Sequence, residues 1–102
     1  MPRLDPDAAT VIGTRIRGLR TERLRVTQTE LQEMSGIEVA AIRRYEAGKA
    51  LPSLGVVVRL AFALGVDPGE LIRGLRPADL PEHPGVAVPS RFGAERRHRI
   101  GA

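Results

Sequence analysis

A chain of 102 residues, 42% hydrophobic and 27% charged, has the composition of one ordinary globular domain and not of a disordered or fibrous chain. Zero cysteines exclude disulfides, thiolate metal sites and a cysteine nucleophile, and agree with the reducing cytoplasm in which the protein is expected to reside. The net charge of +4 rests on 16 basic residues of which only Lys49 is not arginine, a bias toward bidentate contacts with phosphate or carboxylate.

Asp5-Pro6-Asp7 predicts the start of a first helix: a cap acceptor, a proline whose missing N–H costs nothing there, and an acid facing the helix dipole. Ala8 or Ala9, Ile12, Ile16 and Leu19 recur at steps of three or four and form its buried stripe, with fraying expected between Thr21 and Leu24. Thr27-Gln28-Thr29-Glu30 reads as a capping box opening a second short helix through Met34, with Leu31 inward and Gly36 as its stop. A third helix is expected over Val39 to Glu46, with Ile42 and Tyr45 inward and Ala47-Gly48 ending it. Ser53 caps a fourth, whose inner face is assigned to Leu54, Val57, Leu60, Ala61 and Leu64, and Gly65 stops it. Asp67-Pro68-Gly69-Glu70 then starts a short fifth helix carrying Leu71 and Ile72.

The expected fold is therefore all-α, a five-helix domain over residues 5–74. A C-terminal tail, 75–102, carries Pro77, Pro81, Pro84 and Pro89, which block helix. Gly85 to Val88 could add a short strand there. The end of the tail carries Arg91, Arg96, Arg97 and Arg99 against Glu95, so it reads either as a basic arm for phosphates or as a disordered solubilising end. Residues 11–25 hold five arginines against Glu22, whereas residues 26–50 hold four glutamates against Arg43, Arg44 and Lys49, so the basic pole of the domain is N-terminal. The most apolar run, Leu54 to Val66, is interrupted by Arg59 and is shorter than the about 20 residues of a membrane span. The polar start, Met1 to Thr10, does not read as a signal peptide. His83 and His98 lie in the tail, and no Ser, Asp or Glu stands at a spacing that suggests a triad, a carboxylate pair or a metal site, so neither catalysis nor a cofactor is expected.

Two short helices joined by a tight glycine turn and braced by a preceding helix form the unit whose second helix enters the DNA major groove. Here the details resemble the Cro/phage-repressor (XRE-like) helix-turn-helix family over residues 12–72. The matching residues run through Ile12-Gly13, Ile16-Arg17, Leu19-Arg20, Thr27-Gln28, Glu30-Leu31, Ser35-Gly36-Ile37, Ile42, Tyr45-Glu46, Gly48, Leu51-Pro52-Ser53-Leu54, Leu60-Ala61, Ala63-Leu64-Gly65-Val66 and Glu70-Leu71. The resemblance implies double-stranded DNA as partner, with Thr27, Gln28 and Lys49 toward phosphates and Val39, Ala40, Arg43 and Arg44 on the base-reading face. For Arg44 the chemistry agrees, because a guanidinium can bond guanine O6 and N7 together, although a phosphate contact or a solvated position suits it equally. It also implies an internal pair between Glu46 and an arginine of the first helix, for which Arg20 is the nearest candidate.

Several positions depart from the family pattern. Glu38 stands where a Ser or Thr normally caps the third helix, and it brings a negative charge toward phosphate. Val39-Ala40-Ala41 offers only methyl contacts where polar residues are usual. Gln32 replaces a small alanine, which implies either an adjusted helix crossing or a side chain escaping to solvent. Phe62, with Val58 and Gly55 on the same side of the fourth helix and Ile72 as neighbour, is expected at a homodimer interface, the alternative being that it packs beneath the tail. The leading functional expectation is a sequence-specific, dimeric transcriptional regulator on a palindromic site. The alternative is a module that binds a partner protein, an antitoxin or an adaptor, with weak or no sequence-specific DNA binding.

Overall fold

Asp7 opens the first helix, its Oδ1 accepting the N–H of Thr10 at 3.0 Å. The structure is a computed structural model that describes residues 7–82. Helix α1 (Ala8–Gly18) thus takes Asp7 itself as cap, where an acid within the first turn was expected; Asp5 and Pro6 lie outside the described residues. α1 does not fray at Thr21. It continues as a π-helical segment, Leu19–Leu24, and ends at Arg25 in the left-handed conformation, φ 57° and ψ 45°. The cause lies in the spacing of two leucines, both packed against the core. Five α-helical residues would turn Leu24 about 140° away from Leu19, whereas the wider π turn keeps the pair on one side.

Helices α2 (Gln28–Ser35), α3 (Val39–Glu46), α4 (Leu54–Leu64) and α5 (Gly69–Ile72) follow as expected in order and extent. Ile12, Ile16, Leu31, Ile42, Val57, Leu60, Ala61, Leu64 and Leu71 close one core drawn from all five helices. Leu54, assigned to the inner face of α4, is instead 73% exposed. Its three-residue step to Val57 and its four-residue step to Val58 are equally compatible with a helical stripe, and the core is filled by the Val57 stripe. Leu54, Val58 and Phe62 consequently form a second apolar row on the outside of α4, with Phe62 87% exposed.

α1 and α3 meet at Gly13, where any Cβ would collide with the carbonyl oxygen of Tyr45, so only glycine allows this closeness of approach. Arg15 spans from α1 to α5, donating from Nη1 to the Leu71 carbonyl at 3.1 Å. Past Gly74 the chain forms a 3₁₀ turn, Pro77–Asp79, although Pro77 was expected to block helix; at the first position of a turn its missing N–H costs nothing. Asp79 is buried there and accepts the backbone N–H of Arg76 at 2.8 Å. The short strand expected at Gly85 to Val88 and the basic end of the tail fall outside the described residues. No helix among the described residues is long and apolar enough to cross a membrane.

Candidate nucleic-acid interface

The α2–turn–α3 unit is held by bonds that begin in local sequence. Thr27 Oγ1 accepts the Glu30 N–H at 3.0 Å while Glu30 Oε1 accepts the Thr27 N–H at 2.7 Å, a complete capping box. Both backbone N–H groups that follow, on Gln28 and Thr29, lack a partner among the described residues and project from the positive end of the α2 dipole. Gly36 ends α2 at φ 78°, its N–H bonding the Gln32 carbonyl at 2.8 Å. Ser35 Oγ donates to the Leu31 carbonyl at 2.7 Å and accepts the Ile37 N–H at 3.1 Å, so the turn into α3 is tied from both sides.

Within α3, Ile42 is buried and Tyr45 half-buried against the core. Ala40, Arg43 and Arg44 are exposed, and their steps of three and four place them on one outward face. Neither arginine has an ion-pair partner among the described residues. Val39 is half-buried at the start of the helix. Lys49 is exposed just past α3, in a shallow depression shared with Gly48, Asp79, Leu80 and Pro81. The cationic groups of this surface are therefore available to anions, and the apolar start of α3 offers only methyl and backbone groups.

Beneath the surface lies the expected pair. Arg20 donates from Nε to Glu46 Oε2 at 2.6 Å and from Nη2 to Glu46 Oε1 at 2.8 Å, and its Nη1 donates to the Val26 carbonyl at 2.9 Å. The two side chains are only 11% and 4% exposed. Hydrogen bonding to Glu46 raises the pKa of the Arg20 guanidinium, against the opposing effect of burial, so the guanidinium keeps its charge. Gln28 joins it, donating from Nε2 to Glu46 Oε1 at 3.0 Å. The Gln28 amide is thus held by the buried pair, with one of its two N–H groups engaged there.

The departures from the family pattern resolve differently. Glu38 occupies the cap position of α3, φ −61° and ψ 142°, and its side chain makes no cap bond. Gln32 does not escape to solvent: it stays half-buried, and its Oε1 accepts the Val39 N–H at 2.6 Å. Nothing in the local pattern signals this bond, because its partners lie on different helices and no cap motif links them. Among the residues expected at a dimer interface, Val58 and Phe62 line a depression of about 690 Å³ on α4, together with Leu54, Gly55, Arg59, Ser35 and Met34. Ile72, 41% exposed, lines another beside Asp67, Glu70 and Arg73.

A helix-turn-helix family (HTH_3) matches residues 16–71 of the chain. None of the curated proteins matches it. Among solved structures, the restriction-modification controller protein C.AhdI from Aeromonas hydrophila is similar at 33% identity and a TM-score of 0.59, over 62% of this chain and 94% of that one. A hypothetical transcription factor, NHTF, from Neisseria is similar at 25% identity and a TM-score of 0.60, over 76% of this chain and 90% of that one.

Proposed function

The chain belongs to the helix-turn-helix family, and from that premise we propose that it is a sequence-specific transcriptional regulator that binds double-stranded DNA as a homodimer on a two-fold symmetric site. The observation that carries this reading is the outward face of α3, where Arg43 and Arg44 stand exposed and unpaired among the described residues on a scaffold whose second helix enters the major groove. The open N–H groups of Gln28 and Thr29, the Thr27 hydroxyl, the free hydrogen of the Gln28 amide and Lys49 fit phosphates on either side of that groove. Likeness to a restriction-modification controller and to a transcription factor supports the same class. The exposed row Leu54, Val58 and Phe62 suits self-association, and a two-fold dimer would set its recognition helices about 34 Å apart.

Selection of bound fragments from random-sequence duplexes tests the proposal. An enriched palindrome is the expected result, with Arg44→Ala weakening the enriched site by roughly 1 to 3 kcal/mol and random DNA much less. Absence of enrichment overturns it. A second reading, a module for a partner protein with weak or no sequence reading, is favoured by one feature: Glu38 lies exposed at the tip of α3, beside the methyl groups of Val39 and Ala40, where it repels phosphate.

A further inference from the structure

A helix entering a groove is only as well aimed as its first turn, and the first turn of α3 is poorly provided for by its own sequence. Four N–H groups at a helix start have no partner within the helix. Glu38, in the cap position, bonds none of them with its side chain; its carbonyl accepts from Ala41 and Ile42, each at 3.0 Å. The Val39 N–H is bonded from another helix, by Gln32 Oε1 at 2.6 Å. Gln32 holds the turn at both ends, since its own carbonyl accepts the Gly36 N–H at 2.8 Å. The acceptor must be the amide oxygen because the partner is an N–H, which fixes the orientation of the side chain. No buried polar side-chain atom among the described residues lacks a partner, so Gln32 Nε2, which has no bond there, is open to solvent.

We infer that Gln32 is the positioning residue of the recognition helix: it supplies from α2 the cap that Glu38 does not give, and thereby fixes the angle at which Ala40, Arg43 and Arg44 meet DNA. The inference rests on the DNA-reading role proposed above for α3. A cap borrowed from the preceding helix couples α2, whose N-terminus is fitted to phosphate, directly to the start of α3, so that the two contact surfaces move as one body. A Ser or Thr at position 38 would cap α3 without that coupling.

The test is a cycle of four proteins: wild type, Gln32→Leu, Glu38→Ser and the double variant, each titrated with the selected site and with a random duplex. Loss of a cap corresponds to a factor of about five. Gln32→Leu is expected to lower the ratio of specific to random binding by about fivefold in the wild-type background and by less than twofold in the Glu38→Ser background, where the helix has its own cap. Equal losses in both backgrounds, or specific and random binding falling by one common factor, overturn the inference. Independently of DNA, the Val39 amide of the free protein is expected to exchange with solvent faster in Gln32→Leu and to remain protected in Gln32→Glu, which keeps the acceptor; an unchanged Val39 amide in Gln32→Leu overturns the cap itself. If Gln32→Leu does not fold, Gln32→Ala takes its place in the cycle. A wild-type protein that selects no site defeats the regulator reading, and the cap is then decided by Val39 exchange alone.

Discussion

Along the seam between α1 and α3, Gly13 lies against the Tyr45 carbonyl, and Arg20 and Glu46 close a bidentate pair with Gln28 attached. Along the outer face of α4, Leu54, Val58 and Phe62 repeat every four residues with no covering element among the described residues. The first surface is closed at Gly13 by its own chain, and the second is uncovered among the described residues. Side chains at the seam are specified by their neighbours in the same chain, so substitution there should be felt as lost stability. Leu54, Val58 and Phe62 stay largely exposed among the described residues, so substitution there should be felt in what the protein associates with.

The largest effect is expected for Glu46→Ala, which leaves the mostly buried Arg20 guanidinium without its carboxylate: about 3 kcal/mol of stability lost, reduced somewhat by the bond Arg20 keeps to the Val26 carbonyl. Chemical denaturation measures it, and a loss below about 1 kcal/mol would mean the seam is no more specified than an exposed ion pair. Gly13→Ala follows, at roughly 2 to 3 kcal/mol, because the added methyl forces α1 and α3 apart. Phe62→Ala is expected to change the stability of the monomer by no more than about 0.5 kcal/mol. It should nevertheless weaken self-association by roughly 2 kcal/mol for each phenylalanine buried. Sedimentation over a concentration series separates the two quantities, and an unaltered dimer, or a wild type that stays monomeric, removes the α4 face from the interface. The smallest effect, and the one of opposite sign, is Arg25→Gly: relief of the left-handed conformation should stabilise the fold by about 0.5 to 1 kcal/mol, read as a rise in melting temperature.

What could be read in advance divides along the same line. The capping box of α2, the Ser53 cap of α4 and the glycine stops at Gly36 and Gly65 are interactions within three or four residues, and the structure has each of them. The Arg20–Glu46 pair spans 26 positions and was legible only through the family resemblance. Where neither local pattern nor resemblance applied, reading failed for specific reasons. Leu54 satisfies two helical stripes by spacing, and only the packing of the core chooses between them. Leu19 to Leu24 contains no glycine or proline to announce a change of helix type. Gln32 was conspicuous as a departure, yet its bond to Val39 depends on how two helices cross, which no single stretch of sequence encodes.

The π-helical segment bears on how the length of this chain can change over generations. A chain one residue shorter between Leu19 and Leu24, lacking the exposed Glu22 for example, would bring the two leucines four residues apart, where an ordinary α-helix stacks them unaided. The segment therefore acts as a slot into which a residue can be gained or lost while the core contacts at both ends are preserved. Homologues differing in length are expected to differ here, ahead of the capping box at Thr27, and to keep the spacing from Thr27 through Glu46 constant, since every bond between α2 and α3 depends on that count.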